Sequence, residues 1–318
     1  MSKLKITSLI LLLSLSIAGC IKKPSNADEV VSATDSAHYS SEVLDFKAHP
    51  GNPVFTGTGA DTWDEKIRER GYILFEEGVY HMWYTGFRNQ PDAEMHLGYA
   101  TSPDGIVWKR YEKNPIYDAG WVEDMMVIHS DGTYYMFAEG KDDIAHLMTS
   151  TDRVHWTEHG PLDIRYVNGE PLSKGAYGTP TAWKENDIWY LFYERGDLGI
   201  WVATSRDLKT WTNIQDEPVI QPGPEAYDQY GVAVNQIIKY QGKYYAYYHA
   251  TAYDDWHEWS SCVAISDDLV HWRKYENNPI MKENKSSPIL VNDGQQYRLY
   301  TMHDEVCVHF PAGLPVEK

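Results

Sequence analysis

Short apolar runs, a polar turn and then an aromatic strand recur along this chain. The clearest copy is WVEDMMVIHSDGTYYMFAEG, residues 121–140. Residues 124–129 read as one β-strand, entered from the acids Glu123 and Asp124. Ser130-Asp131-Gly132 reads as a hairpin turn in which glycine supplies a positive φ. Residues 133–138, aromatic and β-branched, read as the returning strand. Four other copies of the design begin at Arg68, Tyr177, Val234 and Ser287. With Tyr80, Tyr134, Tyr190, Tyr244 and Tyr297 taken as equivalent, the period is 53 to 56 residues. That length holds four short strands and predicts an all-β fold, a five-bladed β-propeller.

The second half of each repeat has its own marker. Ser102, Asp104 and Trp108 recur as Ser150, Asp152 and Trp156, as Ser205, Asp207 and Trp211, and as Ser266, Asp268 and Trp272. Each set reads as a third strand, an Asp-centred turn, and a fourth strand starting at tryptophan. The tryptophans are expected to pack between neighbouring blades. Asn114-Pro115, Glu217-Pro218 and Asn278-Pro279 follow three of them, and Asn52-Pro53 follows Phe46 at the same distance. The fifth repeat has no such unit before the chain ends. Residues 43–49 are therefore expected to supply the outer strand of blade five, closing the ring and covering a free sheet edge.

The first residues read differently. Lys3 and Lys5 precede an apolar stretch, residues 6–17, too short to span a bilayer. Ile17-Ala18-Gly19-Cys20 resembles a bacterial lipobox, which predicts a signal peptide over 1–19 and a lipidated Cys20. Residues 20–42 are small and polar and are expected to be a flexible tether, leaving 43–318 as the propeller and catalytic domain. The chain would then sit in the cell envelope, lipid-anchored on a periplasmic or surface face. Net charge is −18, which argues against nucleic acid as a partner. Cys262 and Cys307 would meet an oxidising compartment, either paired or as buried free thiols.

In a propeller, first-strand starts and the loops after second strands share one face. Here they bring together Asp64, Glu69, Arg70, Glu123, Asp124, Tyr177, Asn235, Glu139, Glu194, Arg195, His249 and His303, among others. Carboxylates beside aromatic rings suit a sugar. Rings stack on sugar faces, polar groups bond hydroxyls, and paired acids can break a glycosidic bond.

On these repeats, turns and Asn-Pro links, the chain from about residue 43 resembles the five-bladed propeller glycosidases. These are glycoside hydrolase family 43 and its relatives in families 32, 62, 117 and 130. The resemblance implies an aspartate base heading blade one, a pKa-setting aspartate heading blade two and a glutamate acid heading blade three. Asp124 matches the second. Blade one carries Arg70 at the equivalent position, with Asp64 the nearest aspartate. Blade three reads Tyr177-Gly178-Thr179-Pro180, without the glutamate. The expected roles are therefore Asp64 as base, Asp124 as the substrate-binding carboxylate that sets the pKa, and Glu194 as acid. His303 or Glu139 stands in reserve, since family 117 uses a histidine acid. Arg70, Glu123, Glu139, Tyr177, Arg195, Asn235 and His249 are expected to bind substrate, and residues 163–176 to wall the funnel. No cofactor is expected to be required; relatives hold Ca²⁺ in the channel, but nothing here forms a dedicated Ca²⁺ loop. The expected activity is exo-acting, inverting hydrolysis of an oligosaccharide by a monomer. The alternatives are a phosphate-dependent glycan phosphorylase, with Arg70, Lys141 and Arg195 for the phosphate, and a non-catalytic sugar-binding lipoprotein.

Overall fold

A computed structural model of the chain describes residues 39–141, 143–172 and 177–313. The signal segment, Cys20 and the tether up to residue 38 lie outside the described residues. Five sheets follow one another in sequence, antiparallel but for one outer strand of blade three. Blade one is built on Tyr72–Glu76, Val79–Phe87 and His96–Ser102, blade two on Glu123–Ser130, Thr133–Gly140 and Ile144–Ser150. Blade three uses Thr181–Glu185, Ile188–Glu194 and Ile200–Ser205, and blade four Gly231–Tyr240, Lys243–Thr251 and Ser260–Ser266. Blade five holds Pro288–Asn292, Tyr297–Met302 and Glu305–Pro311. Its outer strand is Phe46–Ala48, antiparallel to Glu305–Pro311, with Phe46 opposite Pro311 and Ala48 opposite His309. The N-terminal strand thus closes the ring, as the sequence pattern predicts.

The repeated markers act as fasteners. In each Asp-centred turn the serine hydroxyl bonds the aspartate, whose Oδ1 accepts two following amides, as Asp104 does from Ile106 at 2.9 Å and Val107 at 2.8 Å. The four tryptophans each pack on the preceding blade. Trp108 meets Tyr300, Trp156 meets Trp83, Trp211 meets Phe137 and Trp272 meets Phe192, all edge-on with centroids 5.8–6.3 Å apart. The asparagines before proline imitate a strand. Asn114 bonds both backbone groups of Tyr99, and Asn278 both of Val263. Asn52 does the same to Val308 in blade five, so the N-terminal segment repeats the outer-strand device of the other blades.

Two expectations change, and the two cysteines take one of their two alternatives. Asp163–Arg165 does not rise as a wall; it lies parallel to Thr210–Asn213 as a fifth, outermost strand of blade three, with residues 173–176 outside the described residues. Cys262 and Cys307 are separate buried thiols. Tyr39, expected within the tether, makes a tertiary contact: its ring meets Tyr275 edge-on at 5.8 Å.

The closure strand brings apolar anchors with it. Val43 and Leu44 are buried, and the Tyr247 hydroxyl donates to the Val43 carbonyl at 2.5 Å. Burying two such side chains contributes about 3–6 kcal/mol. A chain starting at His49 should therefore melt roughly 6–15 °C below one starting at Tyr39, as thermal unfolding would report. Equal melting temperatures would mean the ring does not depend on this strand.

Candidate active site

The inner strands enter the channel in an unusual backbone conformation. Arg70, Asp124, Thr179 and Ser287, one in each of blades one, two, three and five, have φ of 57°, 48°, 47° and 53°. Blade four reaches the same place with a bulge at Asn235, between Val234 and Gln236. Left-handed backbone costs an ordinary residue about 1 kcal/mol or more, and such strain gathers at functional sites. Here it turns one polar side chain per blade inward, and all five are buried.

At that face lies a cavity of about 330 Å³. Six carboxylates line it: Glu69, Asp124, Glu139, Asp143, Glu194 and Asp197. Larger clefts of about 490 and 590 Å³ lie along the outer strands of blades two and three, and no such acid cluster lines them. The remaining wall is aromatic. His249 meets Trp259 edge-on at 4.8 Å, and Trp259 meets Trp256 at 6.0 Å. Trp256, 44% exposed, leaves an indole open at the rim.

The carboxylates differ in what holds them. Asp124 has no hydrogen-bond donor to either oxygen among the described residues, and its Oδ1 is buried without a partner. Burial, then the negative charge of Glu69, raises its pKa well above the ordinary value, against the pull of Arg70. Glu139 Oε2 accepts the Thr179 amide at 2.7 Å, and Glu194 Oε1 the adjacent Gly178 amide at 3.1 Å. Glu194 Oε2 takes the Asp197 amide at 2.5 Å. Both glutamates are raised by burial first, Glu139 well above the ordinary value. Asp197 is pushed up to about 8, by burial and then by Glu194. Glu69 goes the other way. Burial, the largest influence, disfavours its charge, but His303, 3.3 Å away, together with His249 and Arg68, lowers it to about 2. The same hydrogen bond raises the His303 pKa despite burial. His249 is held down to about 4 by burial, so it is neutral at pH 7.

Several residues expected at the site do other work. Asp64 does not reach the cavity; its carboxylate pairs with Arg110 at 2.7 Å and accepts from Tyr84 at 3.0 Å. Arg70 is fully buried beneath the acids rather than open to sugar. It donates to the Asp124 carbonyl (2.8 Å), the Pro180 carbonyl (2.9 Å) and the Thr181 hydroxyl (2.6 Å). Tyr177 turns its hydroxyl to the Leu162 carbonyl, 3.3 Å away. Arg195 lies over the Trp201 ring, 5.7 Å from its centroid. Asn235 sits behind His249, 3.1 Å from its Nδ1. Glu123 is tied to Arg68 and to the Trp121 indole. His303 braces Glu69 from outside the lining. Glu194, expected as the acid, has amide donors on both oxygens, which favours its ionised form.

Glu69 takes the place in the lining that was expected of Asp64. Arg68, Asp143, Asp197, Trp256 and Trp259 are further lining residues that carried no expected role. The Arg68-Glu69-Arg70 triplet and the aromatic Trp256-His257-Glu258-Trp259 run were the available signals. Among the described residues no group of three or more His, Cys, Asp or Glu side chains is arranged to hold a metal ion.

Residues 180–298 match the model of the glycosyl hydrolases family 32 N-terminal domain. The chain is similar to a 1,2-β-oligomannan phosphorylase of Thermoanaerobacter, 27% identical over 226 residues that cover 65% of this chain and 72% of the relative. Among solved structures, a glycosyl hydrolase from Bacteroides ovatus superposes with a TM-score of 0.71 at 17% identity, covering 86% of this chain and 95% of that one. A second reaches 0.68 at 17% identity, with 86% and 95% covered. It comes from a study of a mannoside phosphorylase family that contains hydrolases targeting β-1,2 mannosidic linkages in Candida mannan.

One glycine fixes the distance between two of the acids. A Cβ on Gly178 would lie 2.1 Å from Glu139 Oε2 and 2.8 Å from Glu194 Oε1. Those oxygens are therefore no further apart than the two distances end to end, about 4.9 Å. Gly178→Ala should push the carboxylates apart and lower turnover by roughly 100-fold or more. The melting temperature should change by only a few degrees. Unchanged kinetics would show that this spacing is not used.

Proposed function

We propose, from the premise that this chain is a five-bladed propeller of the glycosidase superfamily, that it hydrolyses β-1,2-linked mannooligosaccharides, releasing terminal mannose with inversion. The linkage and sugar rest on what the similar proteins act on. Hydrolysis rather than phosphorolysis rests on the cavity. Six carboxylates line it, and Arg68 is the sole lysine or arginine among the described lining residues. Arg68 is already paired with Glu123 and lies 3.9 Å from Glu69. A phosphate dianion there would meet like charge with little to offset it. Lys141 and Arg195 do not line the cavity, and Arg70 is engaged with backbone beneath it.

The carboxylates divide the work by protonation state. Asp124, buried without donors and raised well above the ordinary carboxylate range, is the general acid. It gives its proton to the glycosidic oxygen as the bond to the anomeric carbon breaks. Glu69, kept ionised by His303 and Arg68, accepts a proton from the attacking water, whose oxygen forms the new bond. Glu139 and Glu194, fixed on adjacent amides, orient hydroxyls, and Trp256 and Trp259 carry the apolar face of the sugar. Envelope anchoring through Cys20 completes the reading, placing the enzyme where oligosaccharides arrive from outside the cell.

Mannose release from β-1,2-mannooligosaccharides should proceed equally with and without inorganic phosphate. Asp124→Asn should lower kcat by about 10²–10⁴-fold. With the Asp124 pKa raised and that of Glu69 lowered, activity should hold from mildly acidic pH to neutrality. It should fall at alkaline pH as Asp124 loses its proton. Formation of mannose 1-phosphate, and only when phosphate is present, would make the protein a phosphorylase. Binding without any turnover would make it a sugar-binding protein.

A further inference from the structure

A second cavity, of about 310 Å³, lies on blade one and shares no lining residue with the acid funnel. Its floor is Trp63, and its sides include Arg88, Gln90, Asp92, Glu94 and His96. It stands where Val79–Phe87 hands over to His96–Ser102. Glu139 and Glu194 occupy the corresponding strand ends of blades two and three, so both cavities open on the same face.

Trp63 is set as a platform. Its ring stacks on Tyr84, with centroids 5.7 Å apart and planes 29° apart. Its edge lies over two glycines on neighbouring strands. A Cβ on Gly86 would be 2.4 Å from the indole, and one on Gly98 2.6 Å. Tyr84 is locked in turn by Asp64, which Arg110 holds. The carboxylate expected to be a catalytic base thus serves to fix this platform. Around it the polar groups are incompletely used. His96 Nδ1 is buried without a hydrogen-bond partner, and His96 Nε2 is 4.0 Å from Glu94. Arg88 is half exposed and reaches only Asp61, at the surface. A flat aromatic floor with donors and acceptors of both signs above it suits a neutral polyhydroxylated ring rather than an anion.

We propose that this cavity is a second carbohydrate-binding site, taking one pyranose of a neutral oligosaccharide against Trp63, with Arg88 and His96 bonding its hydroxyls. It rests on the reading of the protein as a mannoside-acting enzyme. A second site on the same face would hold a longer glycan while the funnel works at its end, raising the local concentration of chain ends.

The test is calorimetric titration of the Asp124→Asn protein with β-1,2-mannobiose, so that each bound molecule reports one site. Two molecules per chain are expected. Adding Arg88→Ala and His96→Ala should weaken one of them by at least about tenfold and leave the other unchanged. Trp63→Ala should remove the same one, and the exposed-side pair keeps the test valid if that variant unfolds. A single site insensitive to these changes would overturn the second site alone. No binding at all would overturn the mannoside reading along with it.

Discussion

One buried guanidinium sets the conditions for the rest of the site. Arg70 lies at the channel with no exposure, and its donors go to blades two and three: the Asp124 carbonyl, the Pro180 carbonyl and the Thr181 hydroxyl. A charge that deep is tolerable only with partners, and removing one member of such an arrangement typically costs about 3–5 kcal/mol. Thr181 passes the link on, its hydroxyl donating to the Val234 carbonyl of blade four at 2.9 Å. Arg70 is thus a tie between blades and the counter-ion beneath the acids. It acts on Asp124, Glu139 and Glu194, and without it their mutual repulsion would be uncompensated from below.

That single cation does not neutralise the cluster, and the chemistry depends on the shortfall. Six carboxylates share a small cavity in which burial already disfavours charge. The protein resolves this unevenly. Glu69 receives His303 and is held low; Glu194 receives two amides; Asp124 receives no donor among the described residues and is raised well above the ordinary range. Environment alone separates an acid from an ionised partner among residues of one chemical type. On the proposed reading, the carboxylates that stay ionised disfavour a second anion in the funnel.

The five-bladed ring was legible in the sequence because it is periodic; the added strand Asp163–Arg165, which has no counterpart in the other blades, was not. The four Ser-x-Asp turns and the Asn-Pro links each report an interaction that the structure repeats, while the tyrosines keep the period only to within one residue: Tyr80, Tyr134 and Tyr244 stand second in their strands, Tyr190 third and Tyr297 first. Even the closing strand was legible, since Asn52 stands at the same distance from Phe46 as its counterparts stand from the tryptophans. The site was legible only in outline. Asp124, Glu139, Glu194 and His249 lie where their repeat positions put them. Asp64 was misread because it lies in the turn ahead of blade one's strands, and Arg70 because neighbouring residues at the inner-strand entry face different spaces. The left-handed φ at Arg70 and Asp124, which decides that facing, leaves no mark in composition. Trp256 and Trp259 belong to a loop outside the repeat, so no period located them.

Catalysis in this funnel turns on protons being retained where charge is crowded. ¹³C NMR of Asp and Glu side-chain carboxyls, followed from acid to alkaline pH in wild type and in Asp124→Asn, observes this directly. The carboxyl resonance lost in Asp124→Asn should titrate well above the range of an ordinary aspartate. Another, from Asp197, should titrate near pH 8. If every funnel carboxylate instead titrates below about pH 5, none carries a proton at neutrality, and the assignment of Asp124 as acid and Glu69 as base is contradicted.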